Sequence, residues 1–128
     1  MAIHLVLSED TMALSHIARL HAAEIRNHDW SDAPFRADRA GHDRADDGGR
    51  GDQLTQPETD SIRMNVMWVT AQVLGYQDPN FDVYEFAEAC GVETRTRSGR
   101  PDGTILAGVR LLNDRYARPG TREYGDRY

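Results

Sequence analysis

Apolar residues recur at helical spacing in four stretches of the chain. From Ser8 to His28, Ala13, Leu14, Ile17, Leu20 and Ile25 fall on one side when residues are stepped by 100°, which predicts a helix over 8–28. Ser8 has the chemistry of an N-cap, with Glu9 and Asp10 in the first turn, and Asp29, Ser31, Asp32 and Pro34 favour a stop. His21, Glu24 and His28 interrupt this stripe instead of lying opposite it. A carboxylate and two imidazoles on a core-facing stripe must be hydrogen-bonded, metal-bound, neutral or covered, because bare burial is costly.

The second stretch begins with Thr55-x-x-Glu58, a capping box with Pro57 in the first turn, and predicts a helix over 56–75 stopped by Gly75. Ile62, Val66, Val69 and Val73 form one stripe of it, and Met64, Met67, Trp68, Ala71 and Leu74 form a second on roughly the opposite side. A helix apolar on two faces is central in its domain, or packs inward on one face and against a partner on the other. Asp82-x-x-Glu85 opens a shorter helix over 82–90, with Gly91 and Val92 placed for a Schellman stop. Pro101-Asp102 opens a fourth over 102–116, with Ile105, Val109, Leu112 and Tyr116 on one face and Arg110/Asp114 at i,i+4. Ile3 to Leu7 is a short strand or an extended lead-in, and residues 117–128 form an Arg-rich tail. The expected fold is all-α: one small four-helix domain with a long irregular loop over 31–54 and a possible short N-terminal strand.

Composition changes this picture in three ways. At 128 residues and 39% hydrophobic content the chain is one domain with a modest core. Its single cysteine, Cys90, excludes an internal disulfide, and with no secretory or membrane-spanning run the expectation is a cytoplasmic or virion protein that makes no membrane contact. The net charge is −6 and every basic residue is arginine; residues 1–53 carry 6 Arg against 10 acids, whereas residues 91–128 carry 8 against 5. An acidic body with a basic C-terminal third argues against generic nucleic-acid binding and leaves room for a local arginine contact. The loop SDAPFRADRAGHDRADDGGRGDQ (31–53) lacks the apolar surface to order itself, so an ordered conformation there requires a partner, an ion or a packed surface.

Three constellations carry candidate chemistry. His21 and Glu24 at i,i+3, and Glu24 and His28 at i,i+4, share a helix face, but His21 and His28 are roughly 10.5 Å apart along the axis. A divalent metal would therefore take two of these three, with His42 or Asp43 supplied by the loop. Alternatively the three line a polar seam and pair with Arg36, Arg39 or Arg44. The stretch YEFAEACGV (84–92) resembles the first helix and turn of a helix-turn-helix, with Arg95, Arg97 and Arg100 free to touch phosphate, but TRTRSGRPDG follows where a recognition helix belongs. Cys90 closes its helix, where the dipole disfavours a thiolate, and reads as a core residue and not a nucleophile. Met64, Met67, Trp68 and Leu74 offer the adaptable, large apolar groups common where proteins meet.

The stretch HDWSDAPFRADRAGHD (28–43) followed by NVMWVTAQVLGY (65–76) resembles small uncharacterised proteins of actinobacterial phages, and the arginine-only composition suits such an origin. The resemblance implies a phage or prophage setting, in which small proteins serve as virion parts or modulators of host proteins. It implies no active-site residue. The leading expectation is a non-enzymatic interaction protein that self-associates or binds a protein partner through Met64, Met67, Trp68, Leu74, Arg95, Arg97 and Arg100, with no cofactor. The alternatives are a metal-binding helical protein, such as a hydrolase, using His21, Glu24, His28 and His42 or Asp43, and a DNA-contacting regulator.

Overall fold

The computed structural model describes residues 14–122. Helix α1 spans His16–Asn27, α2 Gln56–Gln77, α3 Val83–Ala89 and α4 Gly103–Ala107, and a two-stranded antiparallel hairpin follows, with β1 Leu111–Leu112 and β2 Arg115–Tyr116. The architecture is mainly helical, and the hairpin corrects the all-α expectation. The suggested strand at 3–7 and residues 123–128 of the tail lie outside the described residues.

Helix α1 starts later than the hydrophobic pattern predicts. Ser15 is its N-cap and accepts a hydrogen bond from the Ala18 amide at 3.1 Å, while the expected cap at Ser8 and the first turns after it lie outside the described residues. Its buried side is Ala18, Ala22 and Ile25, and Leu14 just ahead of it is also buried, while Ile17 and Leu20 are half exposed. The face is rotated from the predicted one because alanines let α1 approach α2 and α3 closely. His21 and Glu24 are thereby exposed, and the predicted interruption of a core stripe disappears.

Helix α2 is the central element and opens as its sequence dictates. Thr55 accepts from the Glu58 amide and Glu58 accepts from the Thr55 amide, completing the capping box. Met67, Ala71 and Leu74 are buried within the chain's own core, and Met64 and Trp68 pack against it. This corrects the expectation of a partner surface on that stripe, since α1, α3 and α4 already cover it. Trp68 is held further by its indole N–H, which donates to the Ile105 carbonyl at 2.8 Å. Gly75 does not stop the helix, which continues to Gln77. Its role is steric: a Cβ there would lie 2.5 Å from the Tyr116 ring, which sits on the helix at this point.

Helix α3 ends in the expected Schellman motif. Gly91 adopts φ +87°, its amide donates to the Glu88 carbonyl at 3.0 Å, and the Val92 amide donates to Ala87 at 2.9 Å. Phe86 and Cys90 are fully buried, and burial pushes the Cys90 thiol up to about 12, as befits a core residue. The fourth helix, predicted over 102–116, is much shorter in the structure. It stops at Ala107, and Asn113 and Asp114, both at positive φ, make a two-residue turn that pairs Leu111 with Tyr116 and Leu112 with Arg115. Gln72 on α2 anchors this hairpin, accepting from the Arg110 amide at 2.8 Å and donating to the carbonyls of Arg110 and Ala117 at 3.1 and 3.0 Å.

Candidate functional site

The loop between α1 and α2 is irregular, as expected, but it is ordered by its own residues around one carboxylate. Asp29 caps a 3-10 turn, Trp30–Asp32, accepting from the Ser31 amide at 3.0 Å and the Ser31 hydroxyl at 2.7 Å. Its second oxygen accepts from the Arg44 amide at 3.0 Å. Burial alone would raise the Asp29 carboxyl, but these bonds outweigh it and hold the group at about 2. The turn delivers Asp32 into the interior, where its residue is 1% exposed.

Three cationic or donor groups converge on Asp32. His42 Nε2 lies 2.9 Å from Oδ2, Arg36 Nη2 lies 3.4 Å from the same oxygen, and Arg44 Nη1 bonds Oδ1. Arg44 also donates to the carbonyls of Gly49 at 2.7 Å, Gly51 at 2.8 Å and Asp52 at 3.2 Å, tying the far end of the loop to the same centre. Arg36 further bonds Asp47 and holds Asp38 at 2.9 Å. The Leu54 amide donates to the Ser31 carbonyl at 2.9 Å and closes the loop against the start of α2. The loop is thus held by charge and hydrogen bonds in place of the missing apolar surface.

Asp32, Asp38 and His42 form the described group with ligand atoms close enough for one ion, all within 4.8 Å of one another. The donor set fits a divalent metal poorly. Arg36 Nη2 is 3.3 Å from His42 Nε2 as well as 3.4 Å from Asp32, so a guanidinium already stands among these donors. His42 also faces Asp32 with the nitrogen a metal would need, and metal ligation requires that nitrogen unprotonated. The hydrogen bond to Asp32 raises the His42 pKa, burial opposes it, Asp38 and Asp47 add to it and Arg36 opposes it. The same bond lowers the Asp32 carboxyl, against burial and with help from Arg44 and Arg36.

These opposite shifts define a pH window for loop stability. A raised histidine contributes fully below its unfolded pKa and loses that contribution as pH rises through its folded pKa; a depressed carboxyl contributes above its unfolded pKa and loses that as pH falls through its folded value. The loop is therefore most stable above the carboxylate range and below the His42 titration. Thermal melts of His42→Gln should show a flattened alkaline limb relative to wild type. Parallel pH profiles for the two proteins above neutrality would contradict this account.

The predicted ligand set comes together only in part. His28 and His42 have ring centroids 6.0 Å apart, but His28 packs tilted against Trp30, centroids 4.3 Å apart, and its Nδ1 accepts from the Gly41 amide at 3.2 Å. Asp43 caps the short turn Arg44–Asp47, accepting from the Ala45 amide at 3.0 Å. His21 is exposed, and Glu24 shares with His28 and Asp38 the wall of an open cavity of ≈310 Å³. Of the loop arginines named for this role, Arg36 and Arg44 pair with Asp32 instead, Arg39 does not, and among the described residues none pairs with this trio. Sequence reasoning missed Asp32 because an Asp in a run of alternating Arg and Asp carries no mark of burial. The available signal was Asp29-Trp30-Ser31, a capping turn next to a large aromatic, whose indole donates to the Ile25 carbonyl at 2.9 Å.

The basic loop after α3 bridges Arg95 to Pro101, with Arg95 Nη1 bonded to the Gly99 carbonyl at 2.8 Å and Arg97 and Arg100 exposed. No recognition helix follows the turn at Gly91: this loop intervenes, and α4 has 5 residues. Among the described residues no helix is long and apolar enough to cross a membrane. No protein-family model matches the chain, and no curated protein and no solved structure matches it either.

Proposed function

We propose that the protein is a non-enzymatic assembly component of phage origin, in which copies of the chain meet through the outer face of α2. The observation that carries this reading is the face itself. Ile62, Val66, Val69, Val73 and Tyr76 recur at 4-3-4-3 spacing, the period of a two-stranded helical seam. Val69 is 72% exposed, Tyr76 51% and Val73 41%. Residues 64–77 include no charged side chain, so two chains of net charge −6 can approach here without opposing carboxylates. Val66 packs partly against the chain's own core, so the free part of the stripe runs from Val69 to Tyr76, and an exposed apolar patch of this kind marks a contact surface.

The expected surface thus moves to the opposite stripe from Met64, Met67, Trp68 and Leu74, while the class of function stays the same. Modulation of a host protein would place the host's helix on the same face. Sedimentation equilibrium should show wild type self-associating at concentrations of about 100 µM or below, in keeping with a weak, small interface. Val69→Glu, a change at a solvent-facing position, should give a folded monomer with an unaltered melting temperature. A wild type that stays monomeric over that range, matching Val69→Glu at every concentration, would overturn self-association.

A further inference from the structure

A second cavity lies where the end of α1 meets the first turns of α2. Its volume is ≈560 Å³, and it is lined chiefly by polar side chains, including Arg26, Asn27, Gln53, Gln56, Thr59 and Arg63. Arg26 and Arg63 run past the same glycine: a Cβ on Gly91 would lie 3.4 Å from Arg26 Cγ and 3.9 Å from Arg63 Nε. Both guanidinium groups are poorly neutralised, unlike Arg36 and Arg44 in the loop. The Arg26 side chain makes no hydrogen bond or ion pair among the described residues. Arg63 reaches Asp60 only at 3.5 Å, and its Nε is buried with no hydrogen-bond partner. A position in the last turn of α1 accounts for Arg26 through the helix dipole, but it leaves the Arg63 donor unexplained.

Two arginines lining one cavity, one without an ion pair and the other only weakly paired, present planar paired donors suited to carboxylate or phosphate oxygens. The first turn of α2, where Gln56 and Thr59 line the same cavity, adds the positive end of a 22-residue helix. We propose that this cavity binds a small oxyanion, phosphate or carboxylate, between Arg26 and Arg63. Asp29 and Asp43 also line it, with oxygens already accepting from Ser31, Arg44 and Ala45. Their charge restricts the site to an anion of low charge and makes the binding modest.

The test is calorimetric titration of the full chain with inorganic phosphate and, separately, with acetate, at constant ionic strength. The expected result is saturable binding with a millimolar Kd for at least one, the better probe showing which oxyanion the site prefers. Arg26→Gln, at an exposed position that leaves the fold intact, should weaken binding by about tenfold or more. Arg97→Gln in the distant basic loop should leave it unchanged, and Asp43→Asn should tighten it. Absence of saturation with both anions, or equal losses in Arg26→Gln and Arg97→Gln, would overturn the proposal.

Discussion

Asp32→Asn should lower the melting temperature by about 10 °C, because it removes the one negative charge on which three donors converge in the interior. Asparagine keeps the shape of the side chain but leaves Arg44, Arg36 and His42 without the carboxylate they surround. The Arg44 guanidinium has no other side-chain anion among its bonds to the described residues, and its remaining contacts are the carbonyls of Gly49, Gly51 and Asp52. The damage should be local first. With the hub neutral, residues 29–54 open, and Arg36, Arg39, Arg44 and Arg50 become sites for trypsin while α2 remains protected. Asp46→Asn, an exposed substitution in the same loop, supplies the comparison and should melt like wild type. An Asp32→Asn protein that melts within about 2 °C of wild type and resists trypsin would show that Asp32 is not the organising centre.

Gly108→Ala should cost about 3 kcal/mol, from overpacking against a ring that cannot yield. The backbone gives no reason for glycine here, since φ is −83° and any residue adopts it. The reason is Trp68: a Cβ at position 108 would lie 1.8 Å from Cε2 and 2.2 Å from Nε1 of the indole. Relief requires α4 to move or the indole to leave, and either breaks the bond from Nε1 to the Ile105 carbonyl. Denaturant unfolding gives the energy, and a red shift of tryptophan emission would report the displaced ring. Gly103→Ala is the informative contrast, because nothing lies within 4 Å of a Cβ there. It should be neutral or stabilising by up to ~1 kcal/mol through helix propensity alone. Equal stability of Gly108→Ala and wild type would mean that Trp68 does not sit where the close approach places it.

Where contacts are local, the chain declares its structure openly. The box from Thr55 to Glu58 and the Gly91 stop close through hydrogen bonds spanning a few residues, so their chemistry is complete within a short window. The hairpin was legible too, in Asn113-Asp114, two residues that tolerate left-handed backbone between short apolar flanks; the helical spacing of Ile105, Val109, Leu112 and Tyr116 masked it. For α1, weighting by hydrophobicity favoured Ile17 and Leu20, whereas the buried face is made by Ala18 and Ala22, whose value lies in being small. Gly75 looked like a terminator because Tyr116, the residue that requires it, arrives from a distant part of the chain.

The same divide runs through function. Helical character, the capping signals, the central place of α2 and its two apolar stripes are properties of residue order, because periodicity and capping act over one to four residues. Which stripe turns inward is a matter of how α1, α3 and α4 pack, and that packing left Val69 in solvent and enclosed Met67. The burial of Asp32 and the placing of Arg26 and Arg63 on the wall of one cavity are likewise tertiary facts. Charge interactions depend on distance and desolvation, and neither quantity exists until remote segments have been brought together.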